Sequence, residues 1–202
     1  TSADAQRNRL VKAPLSNPVR ANWQTVVPEQ EGVLTGVSRS GNDLILTYEK
    51  DASVYPAVYS LDGSKIRDIE LPTYGTVGIS SSAKSDEVFY NFASFLYPSS
   101  IYAFDKTTGE SRLLTKPEIK NFNPADYVTE QVFYTSSDGT KVPMFLTYKK
   151  GLKRDGSNPV YLYGYGGFQI NLTPGFTPTT ILFVEQGGIY CEANLRGGSE
   201  DG

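Results

Sequence analysis

Short runs of β-branched and aromatic residues alternate with clusters of turn-forming residues through the first half of the chain. Such runs are typical of strands, and long stretches with helical periodicity are missing. Breaks such as Ser40–Asp43, Asp62–Ser64 and Thr107–Gly109 have the composition of turns. The pattern predicts eight short strands, at Gly32–Ser38, Leu44–Glu49, Ala57–Leu61, Ile66–Leu71, Val77–Ser81, Glu87–Phe92, Ser99–Phe104 and Ser111–Thr115.

The predicted strands repeat in register. A shift of 42 positions superimposes identical residues at Gly36 and Gly78, Ser38 and Ser80, Ser40 and Ser82, Tyr48 and Tyr90, and Tyr55-Pro56 and Tyr97-Pro98. A repeat of about 40–50 residues with four strands has the size of one β-propeller blade. We therefore predict two blades, over residues 33–72 and 75–116, and the outer half of a preceding blade over residues 7–28. A β-sandwich in which the repeat is a coincidence is the alternative.

The pattern changes after Thr115. A polar stretch rich in Pro and Asn suits a connection between domains. Beyond it the Asp138-Gly139 pair predicts a hairpin. Two apolar runs predict buried strands and the segment between them predicts a helix, which is how an α/β sheet begins. The predicted elements are strands Glu130–Thr135, Lys141–Tyr148, Pro159–Tyr163 and Gly188–Asn194, and helix Thr179–Gln186.

Composition excludes several function classes. The 202 residues include 19 basic and 22 acidic side chains, with a net charge of −3 and no basic stripe, so we expect no nucleic-acid partner. No stretch approaches the roughly 20 apolar residues that span a bilayer, so we expect no membrane insertion. Cys191 is the only cysteine and is predicted to be a small buried hydrophobe.

The chain contains no histidine. By itself it therefore cannot supply a Ser-His-Asp triad, a histidine general base or a histidine-ligated metal. We find no paired carboxylates, phosphate loop or metal-ligand spacing, and we expect neither a metal nor a cofactor.

The segment Tyr165-Gly166-Gly167 follows a predicted strand. In α/β-hydrolases, the loop at the comparable place supplies part of the oxyanion hole. Glycines there allow backbone to approach a substrate closely, and the Tyr165 hydroxyl could donate a hydrogen bond to an oxygen that gains negative charge. The alternative is that Tyr165 is a sheet residue and the glycines form a tight turn.

Four segments resemble the prolyl oligopeptidase family: residues 126–127, 138–145, 158–170 and 193–200. The resemblance implies a mostly β chain that comprises the C-terminal blades of a seven-bladed β-propeller and the start of an α/β-hydrolase domain. It places the partial propeller at residues 1–117, the connection at 118–126 and the peptidase part at 127–202. The implied activity is hydrolysis of short peptides on the carboxyl side of proline by a serine peptidase.

The resemblance also implies roles for individual residues. Tyr165 corresponds to the family tyrosine of the oxyanion hole, and Phe168 to an aromatic residue that lines the pocket for the substrate proline. Core packing is the alternative for Phe168. Loop-ordering roles fall to Gly166, Gly167, Asn194, Arg196, Gly197, Gly198 and Glu200. Two positions depart from the family pattern, because Ser199 replaces a glycine and Asp201 an aromatic residue.

The nucleophile elbow, the Asp and the His of the family are absent from these 202 residues. We therefore expect the chain to be inactive alone, and its expected partners are the remainder of the same polypeptide and a proline-containing oligopeptide. Two alternatives stay open: a non-catalytic β-rich module that binds a peptide or protein, and a related acyl-peptide or dipeptidyl hydrolase. A cytoplasmic location is expected, with a periplasmic or secreted one left open because the true amino end is not visible.

Overall fold

The structure is a computed structural model that describes residues 1–198. Glu200, together with Ser199 and Asp201, lies outside the described residues. The described part is mostly β, as predicted. Its strands and helix are β1 Leu10–Lys12, β2 Gln24–Val27, β3 Val33–Ser40, β4 Asp43–Lys50, β5 Ser53–Ser60, β6 Lys65–Asp68, β7 Thr76–Ser82, β8 Ser85–Ser94, β9 Tyr97–Phe104, β10 Ser111–Thr115, β11 Tyr127–Thr135, β12 Lys141–Lys149, β13 Val160–Gly164, α1 Pro178–Glu185 and β14 Ile189–Ala193.

Strands β3 to β6 form one four-stranded antiparallel sheet, and β7 to β10 form a second with the same simple up-and-down order. All eight predicted strands are present. The Tyr-Pro pairs lie inside strands rather than before them, since β5 begins at Ser53 and β9 at Tyr97. A tight turn at Asp51 and Ala52, with φ of 48° and 57°, already reverses the chain before Tyr55.

The two sheets share a core. Ile45 and Val58 of the first sheet and Val88 and Phe92 of the second are almost fully buried in one cluster. At one end of the interface Lys106 donates to Asp43 Oδ2 and Asp86 Oδ1, both at 2.8 Å. A second cluster joins the first sheet to the β1–β2 hairpin. The sheets are therefore stacked face to face.

The third sheet has the order β11-β12-β14-β13. Strands β13 and β14 are parallel and are connected through α1, whereas the other pairs are antiparallel. Its core includes Phe145, Val184 and Tyr190, and this cluster also contains Phe95 and Leu96 from the β8–β9 turn. The second and third sheets are thus joined by one hydrophobic cluster.

Strand β14 is buried along its whole length, as its apolar run predicts. The prediction of a buried strand at Pro159–Tyr163 is wrong, because Val160, Tyr161 and Leu162 are 58%, 55% and 65% exposed. β13 is an edge strand within the described sheet and pairs only with β14, whereas β14 pairs on both sides. An apolar run predicts a strand that is buried on both faces. The actual exposure of the strand depends on which other parts of the structure pack against it.

Cys191 lies in β14 and is buried, as predicted, and burial raises the pKa of its thiol. Among residues 1–198, the only α-helix, α1, is too short to cross a bilayer.

Candidate functional site

Two glycine-containing segments lie at the carboxyl ends of the parallel strands β13 and β14. We call residues 165–170 the first loop and residues 194–198 the second loop. In sheets with parallel strands, ligands bind where the carboxyl ends of adjacent strands meet. A ligand site of the third sheet is therefore expected at this edge.

The two loops touch through their glycines. A Cβ on Gly166 would lie 2.6 Å from the Arg196 carbonyl oxygen and 2.7 Å from Leu195 Cβ. A Cβ on Gly197 would lie 3.0 Å from Gly166, and Gly197 also has φ of +115°. Glycine at these two positions lets one backbone pass directly over the other. Gly167 differs, because a Cβ there would meet no described atom within 4 Å.

The first loop turns through two residues in the left-handed region. Phe168 and Gln169 have φ of 53° and 56°, which costs on the order of 1–3 kcal/mol for each non-glycine residue. The Gln169 amide donates to the Gly197 carbonyl at 3.0 Å, and the Ile170 amide donates to Gly167 at 3.0 Å. The second loop thus helps to hold the first in a strained conformation.

Both aromatic residues that the sequence singled out lie on this strained loop. Tyr165 comes directly after β13 and is 37% exposed. Phe168 is 91% exposed and contributes no described core contact. The structure thus places both rings at the surface beside the glycine crossing.

Asn194 links the second loop to the rest of the sheet. Its side chain is buried, and Nδ2 donates to the Leu172 carbonyl at 2.6 Å. Its backbone amide donates to Pro143 of β12 at 3.0 Å. Asn194 therefore ties together β12, the second loop and the segment that follows the first loop.

Arg196 forms an ion pair with Asp138 in the β11–β12 turn. Asp138 also accepts from the Thr140 amide at 3.1 Å. This backbone hydrogen bond, followed by the Arg196 guanidinium, lowers the pKa of Asp138 to about 2. Gly198, at the end of the second loop, is half-buried. The sequence did not identify Asp138 as the partner of Arg196, because the two are far apart along the chain.

A cavity of about 690 Å³ lies against the third sheet near the first loop. Its walls include Tyr161, Tyr163, Phe183 and Glu192, while Tyr165 and Phe168 are not among its described lining residues. Glu192 was not predicted from the sequence as a site residue. The available signal was a single charged residue inside the otherwise apolar run of β14.

Glu192 is buried and accepts a hydrogen bond from the Tyr190 hydroxyl at 2.8 Å. Burial raises the pKa of the Glu192 carboxyl, and the Tyr190 hydrogen bond opposes that shift. Burial, and then the charge of Glu192, raise the pKa of Tyr190. The cavity thus contains one carboxyl group among tyrosine, phenylalanine and threonine side chains.

Comparison with known proteins gives a consistent set of similarities. The family model for the N-terminal β-propeller domain of prolyl oligopeptidase matches residues 1–117. Prolyl endopeptidase of Elizabethkingia meningoseptica is 43% identical over the whole chain, and that of Dictyostelium discoideum is 36% identical. The chain spans about 28% of the length of each of these two relatives.

Solved structures agree with the sequence matches. A structure from a study of two prolyl endopeptidases and their inter-domain dynamics has a TM-score of 0.92 and 41% identity, with 100% of this chain and 30% of that chain covered. Prolyl oligopeptidase B from Galerina marginata, bound to a 25-residue macrocyclization substrate, has a TM-score of 0.89 and 27% identity, with 100% and 28% covered.

Proposed function

The chain belongs to the prolyl oligopeptidase family, and we propose that it forms part of a serine peptidase that hydrolyses short peptides on the carboxyl side of proline. The relatives named prolyl endopeptidase, which match along the whole chain, support the reaction. The peptide bound to the Galerina marginata protein supports a peptide substrate.

In this proposal the chain contains parts of two domains. Residues 1–117 form the last blades of a β-propeller, residues 118–126 connect the domains, and residues 127–202 begin an α/β-hydrolase domain. The two stacked four-stranded sheets support the first assignment. The parallel pair β13–β14 with its connecting helix α1 supports the last, because antiparallel blades contain no such unit.

Tyr165 is the proposed oxyanion donor. During acyl transfer the carbonyl oxygen of the substrate gains negative charge, and a hydroxyl held beside it stabilises that charge more than it stabilises the substrate. The observation that carries this role is the glycine crossing, in which Gly166 and Gly197 fix the backbone next to Tyr165. A donor that is already in place needs no reorganisation when the charge develops.

Phe168 is proposed to contact the proline ring of the substrate. Its side chain is 91% exposed although its backbone is strained, a combination that core packing does not explain. A ring held at the surface offers apolar area to a ligand, and proline is an apolar ring without an amide hydrogen.

The nucleophile and the base are proposed to come from outside these 202 residues, since the chain has no histidine. The remainder of the same polypeptide is their proposed source. The coding region that follows Gly202 should then supply a Ser, an Asp and a His in that order. A reading frame that lacks them would contradict the peptidase proposal.

The test of Tyr165 uses the polypeptide that contains these residues together with the nucleophile and base. For Tyr165→Phe we expect kcat on a proline-containing chromogenic peptide to fall by about 10²–10³-fold, with little change in KM. Tyr134→Phe removes a hydroxyl from β11, in neither of the two loops, and serves as the matched control. A kcat within about twofold of the unsubstituted enzyme would rule out the oxyanion role.

A further inference from the structure

The segment that follows the first loop is held by residues of the two stacked sheets. The Asn171 side chain donates through Nδ2 to Oε1 of Glu49 in β4 at 2.6 Å, although the two residues are 122 positions apart in the chain. Shortly after Asn171, the Thr76 hydroxyl of β7 lies 2.8 Å from Thr173 Oγ1 and 3.1 Å from the Pro174 carbonyl oxygen. Each of the two stacked sheets thus contributes one side chain that contacts this segment.

Glu49 is a buried residue in a strand that also buries Ile45 and Leu46. A buried carboxyl group is unfavourable unless hydrogen-bond donors surround it. The Asn171 amide is one such donor, and a hydrogen bond to a carboxylate oxygen is stronger than one between two neutral groups. Separation of the two side chains would remove this hydrogen bond from a buried acceptor, so the contact fixes Asn171 relative to β4.

The end of β4 is itself anchored on the third sheet. Gln131 of β11 donates through Nε2 to the Asp51 carbonyl at 2.6 Å. Ala52, in the turn after β4, is fully buried in the hydrophobic cluster that contains Phe145 of β12. Glu49 precedes this anchored turn directly in the chain, so its side chain extends from a part of β4 that is fixed relative to the third sheet.

The first loop needs external support because two of its residues, Phe168 and Gln169, have φ in the left-handed region. Such strain persists only where surrounding contacts hold the backbone in place. The Gly197 carbonyl of the second loop supplies one contact, since it accepts from the Gln169 amide. Asn171 is the first residue after the loop, so its hydrogen bond to Glu49 holds the carboxyl end of the loop.

We propose that Glu49 is a positioning residue for the peptidase reaction and that it acts through Asn171 on the first loop. This inference rests on the proposed function, because Glu49 itself is assigned no contact with substrate. By fixing the end of the loop, Glu49 keeps the Tyr165 hydroxyl and the Phe168 ring where the substrate is proposed to lie. A displacement of about 1 Å in groups of this kind can lower a rate by about 10²-fold.

The first test measures kcat/KM of the whole polypeptide, with its nucleophile and base, on a proline-containing chromogenic peptide. For Glu49→Leu, which removes the acceptor, we expect kcat/KM to fall at least about tenfold. Glu49→Gln keeps an acceptor oxygen and should stay within about threefold of the unsubstituted enzyme. Val27→Ala is the control for stability, because it removes buried methyl groups from the cluster between the first sheet and the β1–β2 hairpin. It should lower the melting temperature without lowering kcat/KM.

A double-mutant cycle tests whether Glu49 acts through Asn171. Asn171→Leu removes the donor, and we expect the same loss of kcat/KM as in Glu49→Leu. The double variant should lose at most about twofold more than either single variant, because both substitutions remove the same contact. Unchanged kcat/KM in Glu49→Leu, or losses that multiply in the double variant, overturn the proposal. If Glu49→Leu does not fold, Asn171→Leu decides alone, and an unchanged kcat/KM in that variant overturns the proposal.

Hydrogen exchange separates a failure of this inference from a failure of the proposed function. In Asn171→Leu and Glu49→Leu we expect the Gln169 amide to exchange at least about tenfold faster than in the unsubstituted polypeptide, because its acceptor is held less firmly opposite it. Val27→Ala should leave this rate unchanged. An unsubstituted enzyme that does not cleave proline peptides contradicts the proposed function, and the exchange rate still decides whether Glu49 supports the loop. Unchanged exchange in both variants overturns the role of Glu49, whatever the enzyme cleaves.

Discussion

The stacked sheets formed by β3–β10 and the third sheet formed by β11–β14 differ in how their strands are buried. In the stacked sheets a face of each is buried against its neighbour, and Lys106 bridges them. In the third sheet β14 is fully buried, but its neighbour β13 is exposed and leads into a strained loop. Regular burial therefore characterises the stacked sheets, whereas backbone strain and exposed aromatic rings characterise the loop that follows β13.

The largest loss of stability is expected from a substitution that also tests whether the two regions unfold together. Phe145 of β12 is fully buried and packs against Phe95 of the β8–β9 turn, with ring centroids 5.6 Å apart. We expect Phe145→Ala to reduce the free energy of unfolding by about 3–5 kcal/mol, because it leaves a cavity in the cluster that joins them. The measurement is urea unfolding, followed by circular dichroism and by the fluorescence of Trp23, the single tryptophan.

Both probes should shift together, since Trp23 directly precedes β2 in the hairpin that packs against the first stacked sheet, and so reports on the part of the molecule that does not contain Phe145. A Trp23 transition that stays in place while the circular dichroism transition moves would show that the regions unfold independently. Phe133→Ala removes a ring of the same type from β11, where it is 48% exposed, and should cost much less.

The next effect concerns the glycine crossing. We expect Gly166→Ala to destabilise the protein by about 1–3 kcal/mol, because its Cβ would overlap the backbone of the second loop. Gly167→Ala is the matched control, with open space around the added methyl group, and should change stability by about 0.5 kcal/mol or less. Thermal unfolding measures both. Equal melting temperatures for the two variants would contradict the close contact between Gly166 and the second loop.

The bridge between the stacked sheets should give a smaller effect. The Lys106 side chain is 10% exposed and also donates to the Ser40 carbonyl at 2.9 Å. We expect Lys106→Met to cost about 1–2 kcal/mol, since it leaves Asp43 partly buried without its cation. Lys65→Met breaks the exposed pair with Asp68 and should cost about 0.5 kcal/mol or less. Similar losses in the two variants would place the bridge among ordinary surface pairs.

The smallest effect is a pH dependence in the third sheet. The pKa of Asp138 in the folded protein is about 2, lower than its ordinary value of 3.8. The ionised form is therefore stabilised by folding, so this contribution is fully present above about pH 4 and is lost as the pH falls toward 2. We expect Asp138→Asn to flatten the stability profile in that window, measured by urea unfolding at a series of pH values. An unchanged acid limb would show that the Thr140 and Arg196 contacts contribute nothing.

Much of the fold was predictable because it depends on local periodicity. The strands of the two stacked sheets follow from alternating apolar runs and the turns that separate them. The pairing of β13 with the central strand β14 was not predictable in the same way, and neither was the exposure of β13. A run of apolar residues does not indicate whether its strand will lie at the edge or in the centre of a sheet.

The same distinction between local sequence and tertiary contacts applies to the candidate site. The sequence identified Tyr165, Gly166 and Phe168 through a motif that is contiguous in the chain. It did not identify the contact of Gly166 with Gly197, the pairing of Arg196 with Asp138, or the buried Glu192. Each of these depends on segments brought together from distant positions, or on the burial that results.

The sequence by itself determined the repeated four-stranded units, the family and the loop that carries Tyr165, because these depend on residue types at short spacing. Only the tertiary structure decided that two glycine segments cross, that one apolar strand lies at an edge, and that the Glu192 carboxyl group is buried beside Tyr190. Steric exclusion, exposure and desolvation are properties of neighbours in space, and neighbours in space are fixed only when the sheets pack.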